Sequence, residues 1–156
     1  MNVEMIPEKE VWYPHVTVAA VIERDNKFLL VEELVKDQLV YNQPAGHLEP
    51  DENIMAAVVR ETLEESAWHF VPKYIVGIYF YKSNSGITYQ RICFAGECVQ
   101  HDPHRELDQD IVRSLWLSRQ ELIVTPEKLR SPMVLRCIDD YLQGVKYPLE
   151  LVAEVV

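Results

Sequence analysis

The chain has 156 residues, 48% of them hydrophobic and 26% charged, with a formal net charge of -10. That composition suits one globular domain with its own core, and the charge repels a nucleic-acid polymer over most of the surface. The start MNVEMIPEKE has no apolar run, and stretches such as VTVAAVI are far too short to span a bilayer, so a cytoplasmic protein without a membrane segment is expected. In chain order, residues 15–22 and 27–34 are β-rich and flank the turn Arg24-Asp25-Asn26, which predicts a hairpin. Residues 38–43 form a third short strand, and Pro44-Ala45-Gly46 breaks the pattern. Residues 51–66 read as a helix, with Asp51 at the N-cap and Asp51 and Glu52 complementing its dipole. Strands at 74–82 and 88–99 follow, joined by Ser83-Asn84-Ser85-Gly86, then a polar loop at 100–108 and a last strand at 111–117. Ser118-Arg119-Gln120-Glu121 is a capping box. Ser131-Pro132 opens a final helix that Gly144 closes. The order predicts one mixed α/β domain, a sheet or pair of sheets with helices packed outside.

The three cysteines, Cys93, Cys98 and Cys137, include no C-x-x-C pair, which argues against a zinc site of that type. Cys93 and Cys98 are five apart in a strand, so they face opposite ways, and all three read as reduced thiols.

The chemistry concentrates in Arg60-Glu61-Thr62-Leu63-Glu64-Glu65. On a helix, Glu61, Glu64 and Glu65 fall within an arc of about 100°. Two carboxylates about 6 Å apart repel by about 3 kcal/mol at an effective dielectric of ~20. A solvated acidic face would relieve this. The residues just before, Ile54 to Val59, are apolar on every side, so the helix is covered and its acids line a cleft. They also sit toward the helix C-terminus, where the dipole disfavours anions. A divalent cation with a taste for hard oxygen donors, Mg²⁺ or Mn²⁺, resolves both problems and also binds phosphates. Gly46 lets the backbone turn beside this helix, and its carbonyl or that of Ala45 is available to a cation.

This spacing resembles the box of the Nudix hydrolases, G-x5-E-x7-R-E-U-x-E-E-x-G-U with U aliphatic. Here it runs from Gly46 through Glu52 to Arg60-Glu61 and Glu64-Glu65, six matching positions across 20 residues. Thr62 stands where an aliphatic residue is usual, Ala67 replaces the last glycine, and Trp68 the last aliphatic residue. Outside the box, Pro14 to Ala19, Asn42 to Glu49, Leu129-Arg130-Ser131-Pro132 and Tyr147-Pro148-Leu149-Glu150 resemble the NudJ subgroup of bacterial phosphatases.

The resemblance implies an α/β/α sandwich with a mixed sheet and flanking helices, as a single domain over residues 14–156 behind an extension at 1–13. It implies Glu64 and Glu65 as main metal ligands, Glu61 as ligand or general base, and a backbone ligand at Ala45 or Gly46. Glu52 and Arg60 match a pair that orients the helix and its acids, and Arg60 joins Glu61 and Glu64 in the catalytic set. A further acid is expected shortly before a late tryptophan. Asp110, six residues ahead of Trp116, is taken for it, with Glu106 and Asp108 as rivals in the same loop. The implied activity is Mg²⁺-dependent hydrolysis of a small pyrophosphate-containing substrate, with Mn²⁺ as a substitute, by a monomer or homodimer. The substrates implied are nucleoside tri- and diphosphates or hydroxymethylpyrimidine diphosphate. Two alternatives stand beside it: a broad house-cleaning pyrophosphatase acting on nucleotide sugars or dinucleotides, and a non-catalytic module that senses nucleotides. For the organic part of the substrate, Tyr41, Tyr79, Phe80, Tyr81 and Tyr89 are stacking candidates, each with core packing as the plainer role. Arg91 and Arg130 are each either phosphate contacts or surface ion-pair members. His15 and His47 are lesser catalytic candidates.

Overall fold

The run VTVAAVI is buried from Val18 to Ile22 without alternation, as a strand covered on both faces must be. In the computed structural model, which describes residues 10–155, it forms β1 (His15–Val21) at the centre of a four-stranded sheet. Its partners are β5 (Ala45–His47), antiparallel, and β7 (Thr88–His101), parallel; β6 (Trp68–Lys82) pairs antiparallel with β7 at the edge. A second, antiparallel sheet is built on β3 (Lys27–Val35), with β2 (Glu23–Arg24), β4 (Gln38–Asn42) and β8 (Ile111–Leu117). The expected extension at residues 1–13 falls mostly outside the described residues.

Among the described residues three α-helices flank this framework: α1 (Ile54–Ser66), α2 (Arg119–Ile123) and α3 (Met133–Leu142). Ala57 and Val58 of α1 join Val18, Ala20, Ile92 and Phe94 in one core. Leu122, Cys137 and Ile138 of α2 and α3 join Ala19, Val21, Cys93 and Ala95 in another, on the opposite face. The result is the α/β/α sandwich expected. Cys98 lies in the first core and Cys93 in the second, and all three cysteines are free.

Three local expectations need correction. The hairpin between residues 15–22 and 27–34 does not form. Only Glu23 and Arg24, with the Ile22 carbonyl accepting from the Leu29 amide at 2.9 Å, pair with the start of β3, across Asp25 and Asn26, both at positive φ. The doubly buried β1 needs neighbours on both sides, and it finds them in the other sheet. The N-cap of α1 is Asn53, whose side chain accepts from the Ala56 amide at 2.8 Å; Asp51 sits in the preceding turn at φ 63. Glu52 therefore precedes the helix and is free to turn back toward it. The strand expected at 74–82 begins at Trp68. Pro72 does not end the strand; the β6–β7 register shifts between Pro72 and Tyr74, and the proline is tolerated at this irregularity of an edge strand. The capping box at Ser118 and Glu121 forms, and Gly144 follows α3 at φ 80.

Ala67 caps α1 in the left-handed conformation, φ 59 and ψ 18, with its amide on the Leu63 carbonyl at 2.9 Å. A glycine would take that conformation freely, whereas a residue with Cβ pays about 1–2 kcal/mol. The buried methyl returns only about 0.8 kcal/mol. Ala67→Gly is therefore expected to raise the urea midpoint, by up to about 1 kcal/mol of stability; an unchanged or lower midpoint would contradict it. Thr62, the other departure in this helix, is fully buried, and its hydroxyl donates to the Val58 carbonyl at 2.7 Å, so no unpaired polar group results.

Candidate active site

The helical period places Glu61, Glu64 and Glu65 on the side of α1 that meets the short strand β5. Glu61 and Glu65 are each 7% exposed, and Glu64 is half-buried. Glu61, Glu64 and Asp108 each bring a carboxylate oxygen within 4.8 Å of the other two. Asp108 is held there because its amide donates to the Glu64 carbonyl at 3.1 Å. The loop thus supplies Asp108, and not Asp110, to the acid cluster. Asp110 is exposed, and its carbonyl accepts from the Leu34 amide at 2.8 Å.

Arg60 organises the acids. It grips Glu52 in a two-point contact, Nη2 to Oε1 at 2.6 Å and Nε to Oε2 at 3.0 Å. Nη1 reaches Glu61 at 2.7 Å and Glu64 at 3.0 Å, and Nη2 also donates to the His47 carbonyl at 3.1 Å. These hydrogen bonds, Glu52's foremost, raise the Arg60 pKa further above its ordinary value and hold Glu52 below the usual carboxylate range. One guanidinium therefore ties helix, preceding loop and β5 together.

Burial dominates the other two acids. It raises Glu61 despite the hydrogen bond from Arg60, and pushes Glu65 up to about 9, although Glu65 accepts from the Ala45 amide at 3.1 Å. Arg60 reaches Glu61 and Glu64, but Glu65 has no cationic partner among the described residues. The fit to a hard divalent ion rests on this set of oxygen donors and on the backbone beside it. The β1–β5 ladder bonds Ala20 to Pro44 and Leu48 to Val16, so by alternation Gly46 faces Val18 while the Ala45 and His47 groups point away from β1. The outward Ala45 amide meets Glu65 and the outward His47 carbonyl meets Arg60. Of the two backbone candidates, the Ala45 carbonyl is the one left free of the ladder. Gly46 has a different task. A Cβ there would lie 2.1 Å from Cδ of Glu61, so the carboxyl of Glu61 occupies the space a side chain would fill.

The NUDIX domain model matches residues 13–136. The chain belongs to the Nudix hydrolase family. It is 38% identical over 141 residues to Phosphatase NudJ of Escherichia coli K12, covering 90% of this chain and 92% of that one. A NUDIX hydrolase from Nitrosomonas europaea superposes with a TM-score of 0.90 at 47% identity, over 92% of this chain and 98% of the other. The NUDIX domain of Shewanella oneidensis NrtR, solved with ADP ribose, shares the fold at TM-score 0.70 and 15% identity, over 87% and 91% of the two chains. The chain is thus a Nudix hydrolase acting on phosphoanhydrides, and among its described residues no helix is long and apolar enough to cross a membrane.

In this Nudix domain Glu61 and Glu65 line a cleft of about 810 Å³. Its other walls include Glu33, Asn42, Tyr81, Tyr89, Arg91 and Arg130. Tyr81 and Tyr89 are cross-strand neighbours in its wall, with His15 and His47 packed edge-on against each other and His15 edge-on to Tyr89. Tyr79 instead donates to Asp140 of α3 at 2.9 Å, Phe80 is 68% exposed, and Tyr41 packs against the second core. Arg130 pairs with Glu33 at 3.2 Å, whereas Arg91 is buried and belongs to none of the ion pairs among the described residues. Glu33 went unread in the sequence. Its one signal is an acidic pair, Glu32-Glu33, inside an otherwise apolar strand. Burial raises its pKa, against the opposing charge of Arg130.

Proposed function

We propose that this chain is a Mg²⁺-dependent hydrolase, with Mn²⁺ as a substitute, of nucleoside tri- and diphosphates or hydroxymethylpyrimidine diphosphate in the cytoplasm. The observation that carries the reading is the meeting of Glu61, Glu64 and Asp108 within 4.8 Å, with Glu61 and the buried Glu65 also lining the cleft. Glu64, Glu65, Asp108 and the Ala45 carbonyl would hold the cation. When bound, it supplies Lewis acidity toward the phosphate oxygens and makes a nearby water more acidic. Arg60 and Gly46 fix the carboxyl of Glu61 from two sides. Glu61, raised above the usual carboxylate range, is suited to take the proton of the attacking water. The residues mainly position and balance charge, as phosphoryl transfer requires.

The test is hydrolysis of a pyrophosphate panel by protein stripped with EDTA and then given Mg²⁺ or Mn²⁺, scoring phosphate against pyrophosphate release. Activity is expected only with the cation, and Glu64→Gln is expected to lower kcat about a hundredfold with an unchanged fold. Near-normal Mg²⁺-dependent turnover by that variant would remove Glu64 from its role. Silence toward every compound in the panel would remove the enzymatic reading of this chain.

A further inference from the structure

Arg91 of β7 is 4% exposed, a full positive charge almost out of contact with water. It is held by neutral groups. Nη1 donates to Oε1 of Gln43 at 3.0 Å and Nη2 to Oδ1 of Asn42 at 3.1 Å, while Nε has no hydrogen-bond partner. Both amides are oriented by a second bond. The Gln43 amide nitrogen donates to the Val134 carbonyl at 2.8 Å, and that of Asn42 to Glu33 at 3.3 Å. Their oxygens must therefore face Arg91. This arrangement fixes the guanidinium without cancelling its charge. A buried cation in that state costs several kcal/mol unless an anion joins it.

The place where an anion would come from is visible. Arg91 shares the cleft wall with Glu61, Glu65 and Gly46. The segment from Asn42 to Gly46 holds the guanidinium at one end and, through the Ala45 amide, Glu65 at the other. Glu33 lines the same cleft and feels the charge of Arg91, but its ion pair is with Arg130. On a chain of net charge -10, a buried guanidinium with no direct carboxylate partner among the described residues is a natural seat for an anionic group.

We propose that Arg91 is the chain's own phosphoryl-binding residue, taking a non-bridging oxygen of the substrate diphosphate, with Asn42 and Gln43 as positioning residues. The proposal rests on the phosphoanhydride reading above and sharpens its substrate class. A terminal phosphoryl group carries about 1.5 to 2 negative charges at neutral pH, whereas an internal one esterified on both sides carries about one. Arg91 accordingly favours diphosphates with a free terminal phosphate over dinucleotides.

The binding step is read without turnover. Full-length protein in EDTA is titrated with inorganic pyrophosphate by calorimetry, for wild type, Arg91→Gln, Arg91→Lys and Asn42→Asp. Arg91→Gln is expected to weaken binding at least about tenfold, the scale of a lost charge-assisted hydrogen bond, and Arg91→Lys less. Asn42→Asp sets a carboxylate against Arg91 and also removes the donor to Glu33, so it is expected to weaken binding as much as Arg91→Gln while lowering the melting temperature but leaving the protein folded. With Mg²⁺, the KM of Arg91→Gln is expected to rise at least about tenfold for ADP and by less for a dinucleoside diphosphate. Wild-type pyrophosphate affinity in both Arg91→Gln and Asn42→Asp would overturn the proposal, and should Arg91→Gln fail to fold, Asn42→Asp decides alone. An equal KM change for the two substrates would overturn the preference for terminal phosphates. Failure of wild type to hydrolyse anything would strike the enzymatic reading, while the pyrophosphate titration would still judge Arg91.

Discussion

Glu65→Gln is expected to make the metal-free protein more stable and nearly inactive. Glu65 is 7% exposed and its carboxyl is pushed up to about 9 by burial, against an ordinary value of 4.5. Below 4.5 it is protonated in both the folded and the unfolded chain. Between 4.5 and 9 the unfolded chain releases a proton that the folded chain keeps. Stability of the metal-free protein therefore falls as pH rises through that window, by at most about 1.4 kcal/mol per unit. At pH 8 the accumulated loss is at most about 5 kcal/mol. A glutamine is neutral throughout, and its carbonyl oxygen still accepts from the Ala45 amide. Urea denaturation in EDTA at pH 6 and pH 8.5 should show the wild type losing stability between the two while the variant loses much less. The residual slope belongs to Glu61, whose value is also raised. With Mg²⁺ the order reverses, because a ligand of the native state stabilises the wild type and binds the variant poorly. Turnover should drop at least about a thousandfold, since charge lost from a buried, weakly screened position is felt in full. A variant with the wild-type pH slope would show that Glu65 is ionised without metal.

Gly46→Ala is expected to cost at least about a hundredfold in kcat, the scale of displacing a reacting group by about an ångström. The new methyl would lie 2.1 to 2.3 Å from the carboxyl atoms of Glu61. Glu61 is held by Arg60 at 2.7 Å on its other side and cannot withdraw without breaking that bond. The backbone of Gly46 is also pinned in the β1–β5 ladder, so the strain falls on the acid. Stability should fall by about 1–3 kcal/mol, as for other overpacked sites. Comparison of kcat with the urea midpoint separates the two effects. Wild-type kcat in a folded variant would mean that Glu61 works from another position.

The parts of this site that were legible in the sequence are local. Glu61, Glu64 and Glu65 share a helix face because the period of the helix puts them there, and Gly46 stands at a fixed spacing before them. The choice between Asp108 and Asp110 was not local. It is made by one backbone hydrogen bond from the loop to the Glu64 carbonyl, which no spacing rule predicts. The same holds for the hairpin that fails to form. β1 and β3 are neighbours in sequence, yet β1 is claimed by β7, about seventy residues away, because only a central position covers both of its faces. The Arg91 cradle is less legible still. It joins Glu33 of β3, Asn42 of β4, Gln43 just after it, Arg91 of β7 and the Val134 carbonyl of α3, and no member taken alone marks the place.

Pro72 and Tyr147 together bear on how this molecule meets its neighbours. The outermost strand has no amide hydrogen at Pro72, and at Ile75 both its amide and its carbonyl are taken by Tyr147, at 2.8 and 2.9 Å. A passing chain seeking to extend the sheet from that end would find a missing rung and then an occupied one. Such interruptions discourage the fibre-like stacking to which open sheet margins are prone. The segment around Tyr147 thereby closes part of this sheet margin.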